Sequence, residues 1–278
     1  MDKQIILVDS SYTSFYRFFA TLQWYQRAYK DEYKNIKDQE KDTNKQYNWL
    51  NNTVFIKTYT KMYLESIVKL IKKKNFKNSI IIFCKDAPRE TLWRKNILNS
   101  YKDGRTDLSL NNDFKPVFKY TYENIIPNII LENNNVFSIG LDMCEADDII
   151  ACITLYLKNY NPMQKIIIVS GDNDFLQLGR SNVYFINYKK KELIEISTKE
   201  AEMNLYNKII LGDKSDSISG IFSNKKEVIN CPDKLKIFLK NNNKINDKYI
   251  INQSLIDFNF IPKEYYNKII NEYKKIMK

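Results

Sequence analysis

The chain contains no histidine. That absence removes serine–histidine and cysteine–histidine nucleophile pairs, and it removes imidazole from any metal site. A bound metal ion must then be held by oxygen, and oxygen donors suit hard cations such as magnesium or manganese. Cysteine is sparse too. Cys84, Cys144, Cys152 and Cys231 show no CxxC spacing and lie in or beside apolar runs. Reduced, buried thiols are expected, which points to an intracellular compartment. No apolar stretch approaches the roughly 18 residues that span a bilayer. The sequence passes from Met1-Asp2-Lys3 straight into a strand-like run, so no secretory leader is expected. Glycine and proline number six each, while Lys, Asn, Ile and Tyr are abundant.

What is present suits one large α/β domain, or one domain with an appendage: 278 residues, 44% of them hydrophobic. The net charge is +11, which favours a polyanionic partner, most commonly nucleic acid. Drift towards an AT-rich genome accounts for the lysine excess equally well, but not for clustered acids. Buried strands are expected at 4–8 (QIILV), 79–84 (SIIIFC) and 165–169 (KIIIV), with further strands at 136–140, 183–188 and 192–197. Helical periodicity runs through 54–73 and from Glu145 to about Tyr160. Strands alternating with helices imply a parallel sheet. Residues 26–50 read as a polar, exposed insertion, and 88–125 as a basic, aromatic segment. From about 199 the pattern is helical, which places a boundary there. No internal repeat is visible.

The acids are not scattered. Asp9, Asp86 and Asp172 each follow a hydrophobic strand, and in a parallel sheet those ends share the edge where ligands gather. Glu145, Asp147 and Asp148 open a helix, and Asp174 follows Asp172 by two. Singly, each has an ordinary explanation as a helix-start or turn residue. Together they would repel one another and raise their own pKa values unless cations sat among them. Such a cluster can hold two ions about 4 Å apart and clamp an in-line displacement at phosphorus.

Val8-Asp9, Asp86, Glu145-Ala146-Asp147-Asp148, Ser170-Gly171-Asp172-Asn173-Asp174 and Gly212-Asp213-Lys214-Ser215-Asp216 occur in the order seen in flap endonucleases. The chain resembles these structure-specific 5′ nucleases, which include the 5′→3′ exonucleases of phages and bacterial DNA polymerases, over residues 4 to about 240. The Asp9-Ser10-Ser11-Tyr12 run and the insertion look more like versions from phages and large DNA viruses. The resemblance implies a PIN-like (resolvase-like) α/β nuclease core over 1–198, with a helical arch at 88–125. A helix-hairpin-helix module over 199–278 would follow. It implies two magnesium ions, replaceable by manganese, on Asp9, Asp86, Glu145, Asp147, Asp148, Asp172, Asp174, Asp213 and Asp216. It assigns Lys102 and Arg105, in Tyr101-Lys102-Asp103-Gly104-Arg105, to the scissile phosphate. Arg89, Arg94 and Lys95 would guide the strand, Tyr101 would stack on a base or pack, and Lys214, Lys225 and Lys226 would meet duplex phosphates.

Two departures stand out. Ser217 occupies the family's asparagine position, and no glycine follows Gly220, which leaves a potassium site at the hairpin open. There is no sliding-clamp motif. The expected partner is DNA with a single-strand/duplex junction, met by a monomer wherever DNA is replicated in cytoplasm or nucleus, or in the host cell for a viral protein. Two other readings remain at this point: a PIN-type ribonuclease acting on RNA or RNA–DNA hybrids, and a non-catalytic junction-binding protein.

Overall fold

The computed structural model describes residues 3–104, 111–222, 231–241 and 243–278. Arg105, Lys225 and Lys226 lie outside the described residues, as do Ser223 and Asn224. The architecture is one six-stranded sheet in the order β3-β2-β1-β4-β5-β6. β1 (Gln4–Asp9) lies at the centre, parallel to β2 (Ser79–Lys85) and β4 (Ile166–Val169). β3 (Val136–Gly140) and β5 (Val183–Ile186) extend the parallel run on either side, and β6 (Ile194–Glu195) closes it antiparallel. The three isoleucine-rich runs form the middle strands because both faces of a parallel sheet are covered, which rewards continuous apolar, β-branched sequence.

Strand order reverses between β1 and β4, so the ligand crevice of such a sheet falls beside β1 at its carboxyl end. The register pairs Asp9 with Cys84, and Val8 with Val169. Asp9, Asp86 and Asp172 therefore leave the sheet at one edge.

On one face lie α1 (Ser10–Ala28), α2 (Lys30–Thr43), α3 (Thr53–Ile71), the short α4 (Lys73–Lys77), α5 (Asn111–Tyr120) and α6 (Ile126–Glu132). A single π-helical turn, Thr121–Ile125, joins the last two into one rod. The polar 26–50 stretch is the end of α1, then α2, then a return through the buried Trp49, against which Tyr33 and Tyr47 pack. α7 (Ala146–Tyr160) covers the other face. After β6 come α8 (Thr198–Leu211), α9 (Pro232–Asn241), α10 (Asn243–Ile256) and α11 (Lys263–Ile276). α8 and α10 share a small core of their own with Leu92 and Tyr101. α11 instead returns to the sheet, placing Tyr265, Ile269, Ile270 and Tyr273 in the core beside α7. The last helix thus packs its apolar stripe against α7, across the sequence boundary at 198/199. Among the described residues, no helix is long and apolar enough to cross a membrane.

Candidate metal centre and the basic turn beside it

Asp9 ends β1 and caps α1, accepting from the Tyr12 amide at 2.9 Å and from the Ser170 hydroxyl at 2.8 Å. Asp86 accepts the Ala146 amide at 2.7 Å, at the positive end of α7, and the hydroxyl of Ser11. Asp172 accepts the Asp174 amide at 2.9 Å and starts the 3-10 turn Asn173–Leu178. Asp147 sits in the first turn of α7. These carboxylates face one another. Burial, with the charges of Asp86 and Asp172, pushes Asp9 up to about 7. Burial, with Asp172, Asp9 and Glu145, pushes Asp147 well above the usual carboxylate range. Asp86 is raised too, by burial above all and also by Glu145.

Glu145 behaves oppositely. Burial alone would raise it, but Lys102 and Arg94 outweigh that cost and hold it at about 2. Its carboxylate receives Arg94 Nη1 at 3.0 Å, the Tyr101 hydroxyl at 2.9 Å, and the Lys102 ammonium. Asp148 stands behind it, receiving Arg94 Nη2 at 2.7 Å, Trp93 Nε1 at 3.0 Å and the Glu145 amide at 2.9 Å. Arg94 completes the set by donating Nε to the Leu255 carbonyl at 2.9 Å.

Three of the expected site residues are buried and bonded to protein partners. Asp148 is fully buried, and its oxygens face protein donors rather than the other acids. Arg94 is 3% exposed and holds Glu145, Asp148 and the end of α10 together, so its guanidinium is spent inside the protein and does not face a strand. Tyr101 is likewise buried; its hydroxyl bridges Glu145 and Asp216, which leaves no ring face for a base.

A second acidic group adjoins the first. Asp174, Asp213 and Asp216 each bring a carboxylate oxygen within 4.8 Å of the others. Lys208 of α8 reaches in among them, bonded to Asp174 and 2.9 Å from Asp213. Burial works against the Asp213 charge, but the bonds from Lys208 and Ser215 prevail and hold it at about 2. The loop carrying these acids is tightly closed. Asp213 and Ile218 exchange backbone hydrogen bonds of 2.8 and 2.7 Å. Gly212 has φ +69°, and a side chain there would meet the Ile218 carbonyl at 2.4 Å, so the turn requires glycine. The Tyr101–Gly104 turn docks onto this loop: the Lys102 amide donates to the Asp216 carbonyl at 3.0 Å, and the Gly104 amide to Ser217 Oγ at 2.8 Å.

The donors are all hard oxygens, in two adjoining groups, one of them repelling itself strongly. That chemistry fits divalent, oxygen-bound cations.

The family model for the 5′-3′ exonuclease N-terminal resolvase-like domain matches residues 4–207. The chain belongs to this family. It is 34% identical to the 5′-3′ exonuclease of Mycoplasmopsis pulmonis over 167 residues, 58% of this chain and 52% of that protein. It is 26% identical to the ribonuclease H of Enterobacteria phage T4 over 243 residues, 76% of this chain and 75% of that one. The chain thus spans about half the length of the bacterial relative. Its fold is that of the bacteriophage T5 D15 flap endonuclease, solved as a pseudo-enzyme-product complex with DNA and metal ions: TM-score 0.62, 14% identity, 99% of each chain covered.

Within this family fold the remaining cations are more open. Arg89 and Lys214 are exposed, and Lys95 pairs with Asp103 at 2.7 Å. Lys102 is buried, with a left-handed backbone (φ +61°) that aims its ammonium at Glu145. Sequence reading passed over Ser11, Trp93, Tyr122, Ser170 and Lys208. Serine beside an acid, or lysine on a mixed helix, carries no signal of its role without the third dimension; Ser11, in Asp9-Ser10-Ser11-Tyr12, and Ser170, next to Gly171-Asp172, sit inside runs that carry the resemblance.

Proposed function

We propose that this chain is a structure-specific 5′ nuclease that hydrolyses phosphodiesters of DNA at 5′ flaps and ends, using two magnesium ions for which manganese substitutes. The observation that carries the reading is the paired acidic edge: Asp9, Asp86, Glu145, Asp147 and Asp172 in one group, Asp174, Asp213 and Asp216 in the next. These residues would hold the ions, with Asp147 set among Asp172, Asp9 and Glu145. When bound, the ions supply an activated water and neutralise charge on the reacting phosphate. The protein's own part is placement. The edge fixes the acids on strand ends and helix starts, where little moves. Lys102 is paired with Glu145 at the edge of the first group, placed to offset charge on a phosphate that enters. Arg89 and Lys214 then steer the DNA from the surface.

The names of the relatives support this reading, and one of them supports a second. The T4 relative is a ribonuclease H and aligns over three quarters of its length. Removal of RNA from RNA–DNA hybrids is therefore the alternative. Purified protein with magnesium, given labelled DNA and RNA flaps of matched sequence, separates the two. Faster cleavage of the DNA flap supports the first reading; cleavage confined to RNA would replace it with the second.

A further inference from the structure

Tyr122 touches both Ser11 and the Asp86 backbone without offering a carboxylate of its own. It lies in the π turn of the α5–α6 rod, and wide turns of this kind gather at functional sites. Phe114, Phe118 and Tyr122 follow one another along the rod at four-residue spacing, with ring centroids 5.3 and 4.5 Å apart. Phe114 packs edge-on against Phe15 and Phe18 of α1, at 5.6 and 5.4 Å. Thr121 pins the turn by donating to the Val117 carbonyl at 2.8 Å while its hydroxyl also meets Tyr59 OH at 2.8 Å.

The ladder ends in a closed ring of hydrogen bonds. Tyr122 OH lies 3.0 Å from Ser11 Oγ and accepts the Asp86 amide at 3.4 Å. Ser11 gives its single proton to the Asp86 carboxylate. Its oxygen must then accept from Tyr122, because a hydroxyl has one proton to donate. The direction is fixed: Tyr122 to Ser11 to Asp86. Burial and the nearby Asp86 charge raise the phenol further, so it remains a donor.

We propose that Tyr122 is a positioning residue which, through Ser11, sets the Asp86 carboxylate according to how the α5–α6 rod is seated, so that divalent-ion affinity depends on that seating. The proposal rests on the reading of Asp86 as an ion ligand. Groups that orient a ligating carboxylate typically matter by roughly 10–100-fold in ion affinity or activity.

Calorimetric titration of the full chain with Mg²⁺ tests it, alongside flap-cleavage kinetics. Tyr122→Phe deletes one oxygen and is expected to weaken ion binding about tenfold. kcat should fall, with KM for DNA within about twofold. Ser11→Ala should match it, the double variant should be no worse than either single, and Ser11→Thr should retain wild-type affinity. Phe118→Ala leaves all three hydrogen-bonding groups in place but removes the ring packed 4.5 Å from that of Tyr122, and should weaken ion binding several-fold by unseating it. Asp86→Asn is the control and should lose most ion binding. Should Asp86→Asn lose the ion while Tyr122→Phe binds it normally, the positioning role is refuted and the ligand reading stands. A rise in KM alone, or additive losses in the double variant, also refutes it. Normal ion binding by Asp86→Asn would instead overturn the ligand reading beneath it.

Discussion

Asp9 and Glu145 meet at one edge with opposite tendencies, and pH should expose the difference. Asp9 has its carboxyl raised from 3.8 to about 7 by burial and neighbouring acids. The native state therefore holds a proton that the unfolded chain has released, and stability falls as pH climbs through that interval, by up to about 1.4 kcal/mol per unit. Glu145, held at about 2 against 4.5, contributes stability above pH 4.5 that is lost as pH falls towards 2. In chelator, the melting temperature should be higher near pH 5 than at pH 7.5, and magnesium should raise the latter more; scanning calorimetry checks both. Asp172 offers a chemical test. Asp172→Asn should abolish cleavage while keeping or improving DNA binding, because it lowers the charge facing phosphate; fluorescence anisotropy and gel assays read the two effects. Arg94 offers a structural test. Arg94→Ala strands two buried carboxylates and should cost about 3–5 kcal/mol in urea unfolding; a loss below 1 kcal/mol would mean that the triad is not what holds this corner.

At the scale of elements, the turn at Tyr101–Gly104 and the loop at Gly212–Gly220 act as one unit. Ser217 sits at φ +62° in that loop and accepts the Gly104 amide. Asparagine, the family's residue, tolerates this conformation, whereas a β-branched side chain does not. Ser217→Asn should be nearly neutral, and Ser217→Val should cost about 1–3 kcal/mol by denaturant unfolding. The elements that mattered most were legible in the sequence. Strands of isoleucine ending in aspartate, and a Glu-x-Asp-Asp helix start, announce both the sheet and its edge, since burial on two faces leaves no other place for such runs. The partners of each charge were not legible. Arg94 reads as a surface cation among Arg89 and Lys95, and only the approach of Leu255, far along the chain, shows that it is buried. Lys208 was missed for the same reason: its contact with Asp174 spans 34 positions.

For the whole molecule, the surplus of positive charge and the acidic edge divide the labour. DNA binding should weaken steeply with salt, because lysine–phosphate contacts release counterions; a titration between 50 and 200 mM salt that leaves affinity unchanged would argue against a phosphate-led interface. The same architecture has a practical consequence for anyone who would dissect it. α11 fills the face of the sheet beside α7, with Ile269 fully buried there. A fragment cut at 207, where the family match ends, carries every strand but exposes that face to water. It should express as an aggregate, while the same fragment supplied with residues 208–278 in trans should recover solubility.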